Sequence, residues 1–311
     1  MRKYAIGADV GGSHISCAVI DLETKTVVKG SASSQKVDNK ASAEEVLGKW
    51  ASALNHSIQK IDKSQLAGIG FAMPGPFDYA NGIALFTHEV AKFEKLYGVN
   101  VAAELKKELN LNGESDVRFM NDATAFAVGE AWFGKAAGVE RSLSITLGTG
   151  FGSAFVENGV PVVEREDVPK MGCVWHLPFK DGIADDYFST RWNIRRYAEI
   201  SGHQASGVKE IADRVATDAS AKEVFVELGQ NLGEFLGPWL KKFDAKMLVI
   251  GGNVSGAYNL FGGYFEEKLA EQNVKTVISI SELKEDAALV GSARLFENDF
   301  WNHVKPLLSK M

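Results

Sequence analysis

Two glycine-rich segments are the parts of this chain best suited to chemistry, and both could hold phosphate. The first is Asp9-Val10-Gly11-Gly12-Ser13, and the second is Leu147-Gly148-Thr149-Gly150-Phe151-Gly152. Glycine lets the backbone come close to an anion and point several N–H groups at it. Each segment lies between two apolar runs, which predicts a strand, a tight turn and a second strand in both places. Two such turns in one chain indicate a duplicated fold that binds a polyphosphate from two sides.

The alternating glycines of the second segment also resemble a dinucleotide-binding fingerprint. That fingerprint requires a strand, a glycine loop and then a helix. Here residues 153–156 continue as an apolar strand that runs into an Asn158-Gly159 turn. A phosphate clamp is therefore favoured over a dinucleotide loop. The first segment keeps a simpler alternative, which is an ordinary hairpin turn with a solvated Asp9.

Two aspartates follow predicted apolar strands and could act on a nucleotide and its acceptor. Asp9 faces the first glycine turn, where it could hold nucleotide-bound Mg²⁺ directly or through water. Asp122 follows a strand at 117–120 and begins a helix. Phosphoryl transfer to a hydroxyl needs a carboxylate that orients and deprotonates that hydroxyl. A carboxylate at a helix start is also a good cap, and the local sequence of Asp122 favours the cap. Only the two phosphate turns support the interpretation as a base.

Three further features have simpler structural interpretations beside the functional ones. His176 stands between Trp175 and Leu177, where a lone histidine is more often packed and neutral. Asp185-Asp186 is typical of a helix start. Gly251-Gly252-Asn253 could be a tight turn, or it could lie against an adenine ring that a side chain would obstruct.

Alternating strands and helices must position these residues, and their order favours an α/β fold with buried sheets. The apolar run 66–72 ends in the loop Met73-Pro74-Gly75-Pro76, at a carboxyl strand end where α/β folds bind ligands. We expect a small N-terminal lobe of residues 1–120, a large lobe of residues 121–286, and a C-terminal helix 287–311 that packs back on the first lobe. Paired strands are predicted at 4–10 and 14–20, with 25–31 continuing the sheet, and helices from a capping box at Ser42, at 99–109, 123–133, 186–200, 206–216, 221–243 and 255–271, and from Asp286.

Composition limits the classes of protein that fit. The 311 residues suffice for two domains, and a net charge of −6 without a long Lys/Arg run argues against a nucleic-acid or anionic-membrane partner. Cys17 and Cys173 are too few for a disulfide framework, and we expect reduced thiols in a cytoplasmic protein. The first apolar run is broken at Asp9, which predicts a strand rather than a signal peptide. No run approaches the roughly 20 apolar residues needed to span a bilayer.

Five segments, taken in order, resemble those of the ROK family, which includes bacterial glucokinases, N-acetylhexosamine kinases and sugar-responsive repressors. The segments are residues 9–13, 73–75, 121–123, 147–152 and 251–253, and they extend over almost the whole chain. The resemblance implies an actin-like, hexokinase-like ATPase fold, in which two α/β lobes with duplicated sheet-and-helix units surround a cleft.

The resemblance also implies a role for each candidate residue. Asp122 would be the catalytic base for a sugar hydroxyl, and the sugar would lie near Pro74, Gly75, Asn121, His176 and Asp185. ATP and Mg²⁺ would be the cofactors, with Asp9 as the Mg²⁺ ligand. The ATP contacts would be Asp9, Gly11, Gly12, Ser13, Thr146, Gly148, Thr149 and Gly150, with Gly251 and Gly252 beside the adenosine.

The chain departs from the family pattern at the sugar-binding positions. The family's Gly-Glu-x-Gly-His segment reads Gly172-Cys173-Val174-Trp175-His176, its later sugar-binding Glu reads Asp185, and its usual Pro-Asn reads Thr87-His88-Glu89. The family's zinc-binding cysteines are absent, so we expect no structural zinc. We expect the loop at 164–185 to be packed instead by Trp175, Leu177 and Phe179.

The sequence therefore predicts an ATP-dependent sugar kinase that phosphorylates a hexose or N-acylhexosamine at C6, in lobes that close on the substrates. The alternative is a sugar-sensing regulator without catalysis. ROK repressors usually carry an N-terminal DNA-binding domain, whereas this chain is acidic and its first strand is expected at about residue 4. The sequence leaves open the preferred sugar, the catalytic efficiency, and whether the chain forms the homodimer that the family makes plausible.

Overall fold

The chain folds into two compact units. The structure is a computed structural model that describes residues 2–87, 92–111 and 116–311. The first unit consists of Met1–Ala137, Gly159–Pro161 and Glu285–Met311, and the second of Gly138–Asn158 and Val162–Lys284. The first unit thus continues to residue 137, beyond the boundary predicted at residue 120, and it includes the C-terminal residues.

Strands and helices alternate along the described parts of the chain. The strands are β1 (Tyr4–Val10), β2 (His14–Asp21), β3 (Thr26–Val27), β4 (Ser33–Lys36), β5 (Leu66–Met73), β6 (Phe77–Asp78), β7 (Ile83–Ala84), β8 (Asp116–Asn121), β9 (Arg141–Leu147), β10 (Phe151–Glu157), β11 (Val160–Pro161), β12 (Pro178–Phe179), β13 (Gly182–Ile183), β14 (Met247–Gly251) and β15 (Val277–Ile280). The α-helices are α1 (Ala43–Ile58), α2 (Val101–Glu108), α3 (Asp122–Trp132), α4 (Asp185–Phe188), α5 (Thr190–Ser201), α6 (Val208–Arg214), α7 (Ala219–Phe243), α8 (Tyr258–Glu271), α9 (Asp286–Ala293) and α10 (Asn298–Val304). Among the residues described, no helix has both the length and the apolar character required to cross a bilayer.

The main sheet of the first unit starts as an antiparallel hairpin and continues with parallel strands. β1 pairs antiparallel with β2 and, on its other side, parallel with β5, which pairs parallel with β8. β3 and β4 both pair with β2. Asp9 of β1 is level with Ala72 of β5, and Ala72 is level with Met120 of β8. The carboxyl ends of β1, β5 and β8 therefore meet at one edge of the sheet.

The second unit repeats this strand order. β9 pairs antiparallel with β10 and parallel with β14, which pairs parallel with β15. Thr146 of β9 is level with Gly251 of β14, so the carboxyl ends of these two strands also share an edge. The duplicated sheet expected from the two glycine turns is confirmed.

Each unit has its own hydrophobic core, and helix α1 shows how the sequence builds the first. Ser42 caps α1 by accepting a hydrogen bond from the Glu45 N–H at 3.3 Å, as the capping box predicts. Its buried face carries Val46, Trp50 and Leu54 at helical spacing. The C-terminal segment, predicted as one helix, consists of α9, α10 and short 3₁₀ turns, and the helix predicted at 186–200 is split into α4 and α5.

Helix α9 packs against α3 with direct backbone contact, and glycines make this possible. A Cβ on Gly129 would lie 1.9 Å from the carbonyl oxygen of Ala287, and a Cβ on Gly291 would lie 1.8 Å from that of Ala125. Any side chain at either position would force the helices apart. Because α3 begins at Asp122, this packing fixes the backbone that carries the candidate base.

Candidate active site

One edge of the first unit's sheet collects Asp9, the predicted Mg²⁺ ligand, and most of the residues predicted to act on the acceptor sugar. Asp9 lies near the end of β1, the Pro74-Gly75 loop follows β5, and Asn121 ends β8 just before Asp122. These strands are parallel neighbours, so their carboxyl ends place all four positions together. Asp9, Asn121 and Asp122 are half-buried, which leaves them partly accessible to a ligand.

Asn121, rather than Asp122, caps helix α3. The side-chain oxygen of Asn121 accepts a hydrogen bond from the Thr124 N–H at 3.1 Å, while its amide donates to Tyr79 Oη at 3.3 Å and to Asp122 Oδ1 at 3.0 Å. Asp122 is the first helical residue. The local preference for a cap is thus met by its neighbour, and the interpretation of Asp122 as the cap is corrected.

The Asp122 carboxylate is held in place by hydrogen bonds to one of its two oxygens, Oδ1. Oδ1 accepts from the Ala123 N–H at 2.8 Å and from the Asn121 amide. Oδ2 makes no hydrogen bond with any residue that the structure describes. Burial raises the pKa of Asp122, and this rise is opposed by the hydrogen bond from the Ala123 N–H, by the positive charge of Lys92 and by the hydrogen bond from the Asn121 amide. The result is an oriented carboxylate with one oxygen available to accept a proton.

Asp9 lies near two other carboxylates, those of Asp122 and Glu285. Burial raises its pKa to about 7, and the negative charges of Asp122 and Glu285 contribute to the rise. A carboxylate crowded by other carboxylates favours a nearby cation. Within the described residues, no group of three or more His, Cys, Asp or Glu side chains could hold a metal ion by itself. Mg²⁺ usually takes only one or two protein carboxylates together with phosphate and water, so Asp9 fits a nucleotide-bound Mg²⁺.

The first glycine turn closes the β1–β2 hairpin. The Gly11 N–H donates to the carbonyl oxygen of His14 at 2.9 Å. Gly11 and Gly12 are half-buried and Ser13 is exposed, with its hydroxyl 3.4 Å from His14 Nδ1. This turn begins two residues after Asp9, so a phosphate bound by its N–H groups would lie close to that carboxylate.

In the second unit, the other glycine segments lie at a single sheet edge. The Gly148 N–H donates to the carbonyl oxygen of Gly150 at 3.1 Å, which closes the β9–β10 turn. Gly252 follows β14 with a φ of +80°, and a Cβ there would lie 2.4 Å from the carbonyl oxygen of Leu147. Only glycine tolerates both that φ and that approach. The pairing of Thr146 with Gly251 then places Gly251 and Gly252 beside the second turn.

Asp185 contacts the second turn directly. Its Oδ1 accepts from the Phe151 N–H at 2.6 Å, and its Oδ2 lies 2.8 Å from a guanidinium nitrogen of Arg191. The Asp185 N–H donates to the carbonyl oxygen of Trp175 at 3.0 Å. Both carboxylate oxygens thus have protein partners, and Asp185 links the second turn to the loop that carries His176.

His176 lies beside Cys173 on that loop, with 3.7 Å between Nδ1 and Sγ. Burial and the charge of Lys170 lower the pKa of His176, which favours the neutral ring near pH 7. Trp175 is 43% exposed, so the expectation that it packs the loop is wrong. Phe179 does pack there, against Phe188 and Phe235 of the second core.

The predicted residues thus form one group in each unit. Asp9, Gly11, Gly12, Ser13, Pro74, Gly75, Asn121 and Asp122 gather in the first unit, and Thr146, Gly148, Thr149, Gly150, His176, Asp185, Gly251 and Gly252 gather in the second. His88 and Glu89, where the family's Pro-Asn is altered, lie outside the described residues. Sequence reasoning missed Lys92 and Glu285, because nothing in their local sequence marks them as neighbours of Asp122 and Asp9.

Known proteins resemble this chain along most of its length. It is 24% identical to the glucokinase of Thermotoga maritima, over 94% of this chain and 96% of that protein. It is 26% identical to the N-acetyl-D-glucosamine kinase of Haemophilus influenzae, over 80% of this chain and 84% of that protein. The crystal structure of a ROK family glucokinase from Streptomyces griseus in complex with glucose and AMPPNP superimposes with a TM-score of 0.71 at 22% identity, covering 95% and 99% of the two chains.

These likenesses agree with the fold and with the motifs described above. The strand order, repeated in both units, is that of the actin-like, hexokinase-like ATPase fold. The sequence pattern of the ROK family matches residues 5–299, which include every candidate residue named above. The chain belongs to the ROK family.

Proposed function

We propose that this protein transfers the terminal phosphoryl group of ATP to the C6 hydroxyl of a hexose or N-acylhexosamine, with Asp122 as the general base. The observation that carries the proposal is the geometry of Asp122. Its Oδ1 is fixed by two donors, its Oδ2 is available, and Asn121 caps α3 in its place. The kinase activity of the glucokinase and N-acetylglucosamine kinase relatives supports the same chemistry.

In this mechanism the carboxylate of Asp122 accepts the proton of the acceptor hydroxyl as the phosphoryl group arrives. A general base of this kind typically contributes about 10²–10⁴-fold to the rate. The remaining acceleration comes from in-line positioning and from stabilisation of charge on the phosphate oxygens. Gly11, Gly12 and Ser13 are assigned to the phosphates, with the N–H groups of Gly12 and Ser13 as the donors, because the Gly11 N–H already donates to His14. Thr146, Gly148, Thr149 and Gly150 are assigned to the phosphates as well.

The remaining contacts of the nucleotide are assigned to residues at the same carboxyl-end edges of the two sheets. Gly251 and Gly252 are assigned to the adenosine, because they follow β14 beside the second glycine turn and Gly252 is exposed. Asp9 would hold Mg²⁺ on the phosphates, directly or through water. Burial is the main cause of its raised pKa, and the nearby charges of Asp122 and Glu285, which add to it, support a cation there. When bound, Mg²⁺ would neutralise phosphate charge.

The sugar is assigned to Asn121, Pro74, Gly75, His176 and Asp185, and its identity is limited to a class. Relatives named for glucose and for N-acetylglucosamine kinases support a hexose or N-acylhexosamine. The altered positions Cys173, Trp175 and Asp185 would shape selectivity among these sugars. We further propose that the enzyme works in the cytoplasm, where ATP is supplied, and that it forms a homodimer.

The test replaces the base without changing its size. We expect Asp122→Asn to retain the fold and ATP binding but to lose about 10²–10⁴-fold in kcat. The matched control is Asp116→Asn, because Asp116 starts the strand β8 that Asp122 follows and lies at its opposite end. The measurement is ADP release with glucose, mannose, N-acetylglucosamine or N-acetylmannosamine as acceptor. An Asp122→Asn variant with near-normal turnover would remove the base assignment.

A further inference from the structure

Lys92 places a positive charge on the first glycine turn. A Cβ on Gly12 would lie 3.0 Å from Cε and 3.3 Å from Nζ of Lys92, so the end of the lysine side chain lies across this turn. Lys92 is half-buried. Its ammonium forms no ion pair or hydrogen bond with any residue in the described parts of the chain. A half-buried cation that makes no direct contact with a carboxylate among the described residues, over a phosphate-binding turn, indicates an anionic ligand.

Asn39 ties Lys92 to the glycine turn. The side-chain amide of Asn39 donates to the carbonyl oxygen of Gly12, and the backbone carbonyl oxygen of Asn39 accepts from the Phe93 N–H at 2.9 Å. Phe93 is buried and packs edge-on against Trp50, with ring centroids 5.6 Å apart. The residue that follows Lys92 is therefore anchored both in the core and to the turn, which limits where the lysine side chain can go.

Lys92 also faces the candidate base. Its positive charge lowers the pKa of Asp122, against the larger effect of burial. The ammonium therefore acts on the turn that would bind phosphate and on the carboxylate that would receive the sugar's proton. During phosphoryl transfer, negative charge is spread over the oxygens of the transferred group, which passes from the phosphate turn towards the sugar hydroxyl beside the base.

We propose that Lys92 contacts the phosphoryl group while it passes from ATP to the sugar. In that step the bond between the γ-phosphorus and the oxygen that bridges to the β-phosphate breaks, and its electron pair leaves on ADP. A bond forms between the sugar oxygen and phosphorus, and the hydroxyl proton goes to Asp122. Lys92 keeps its protons and donates hydrogen bonds to the transferred oxygens. This inference rests on the proposed function and adds a residue outside the five segments that resemble those of the family.

The experiment removes the charge of Lys92 and then restores it. The variants are Lys92→Met, which has no charge, and Lys92→Arg, which keeps it. Lys95→Met is the matched control, because Lys95 is exposed three residues further along the chain. Each is assayed for kcat and KM with ATP and the best neutral sugar. Each is also titrated with sugar, with a non-hydrolysable ATP analogue, and with ADP plus aluminium fluoride, which mimics the transferred phosphoryl group.

We expect Lys92→Met to lose about 10²-fold in kcat, as when one oxyanion donor is removed. Its affinity for ADP with aluminium fluoride should fall similarly, whereas sugar and ATP-analogue affinities should change less than about 3-fold. Lys92→Arg should recover part of both losses, and Lys95→Met should match the wild type.

Three outcomes would overturn the assignment of Lys92. The first is normal kcat in Lys92→Met. The second is equal loss in the Met and Arg variants. The third is a loss confined to the KM of the sugar or to acceptors that carry a carboxylate, which would make Lys92 a sugar contact. Failure of the wild type to phosphorylate any sugar would instead refute the proposed function itself, so the two failures are distinguishable.

Discussion

At the scale of the residue, the candidate site divides two tasks between neighbours. Asn121 satisfies the helix end by accepting from the Thr124 N–H and orients Asp122 with its amide. Asp122 is thereby free of capping and keeps one oxygen without a partner among the described residues. An Asn-Asp pair at a strand-to-helix junction lets the chain hold a carboxylate in one orientation without neutralising it.

The pH dependence of the wild-type enzyme should reflect this environment. The base must be ionised, so kcat/KM should fall as pH decreases through the pKa of Asp122. Burial raises that pKa, so the midpoint of the fall should lie above the value of about 4 for an ordinary aspartate. A pH–rate profile, with circular dichroism at each pH to exclude unfolding, provides the measurement. A rate that stays constant down to pH 4 would contradict the raised pKa.

At the residue scale, some residues of the candidate site could be predicted from the sequence and others could not. Asp9, Asp122 and both glycine turns could be located because each lies at the end of an apolar run that reads as a strand. Lys92, Asn39 and Glu285 could not, because each reaches the site from a loop or helix start whose local sequence is ordinary. Only the fold brings Lys92 onto Gly12.

At the scale of the element, the repeated strand order is the feature that positions the site. In each unit an antiparallel hairpin adds two parallel strands on one side, and the glycine turn of the hairpin lies at their carboxyl ends. The apolar runs predicted the two strand–turn–strand hairpins and the alternation of strands and helices, but not the order in which the parallel strands pair. The lengths of the C-terminal helices were not predicted correctly, because helix ends depend on tertiary packing rather than on periodicity.

Backbone packing between α3 and α9 makes a specific stability prediction. Gly129→Ala would place a methyl carbon 1.9 Å from the carbonyl oxygen of Ala287. We expect it to lower the free energy of unfolding by at least about 2 kcal/mol and to lower kcat as α3 shifts Asp122. The measurement is urea denaturation followed by circular dichroism.

Gly48→Ala is the matched control, because Gly48 is an exposed position within α1 with no atom near its Cβ direction. Alanine there should raise the free energy of unfolding by about 0.5–1 kcal/mol. Equal unfolding midpoints for the two variants would contradict the close packing of α3 on α9.

At the scale of the whole molecule, the two units are not two consecutive segments of the chain. The first unit takes residues from three separate parts of the sequence, including 285–311. The boundary expected at residue 120 followed from the end of a strand. α3 nevertheless belongs to the first unit because it packs on α9, which lies more than 150 residues later in the chain. Such a contact has no local signal in the sequence.

The most direct test of the account follows the phosphoryl group itself. Wild-type protein is mixed with Mg·ATP and a hexose or N-acetylhexosamine labelled with carbon-13 at C6, and phosphorus and carbon NMR spectra are recorded. We predict ADP and sugar phosphate in equal amounts, with the C6 resonance split by coupling to phosphorus, and no such product with Asp122→Asn. Binding of the sugar without formation of ADP, as a regulator would show, or a phosphate on another carbon would contradict it.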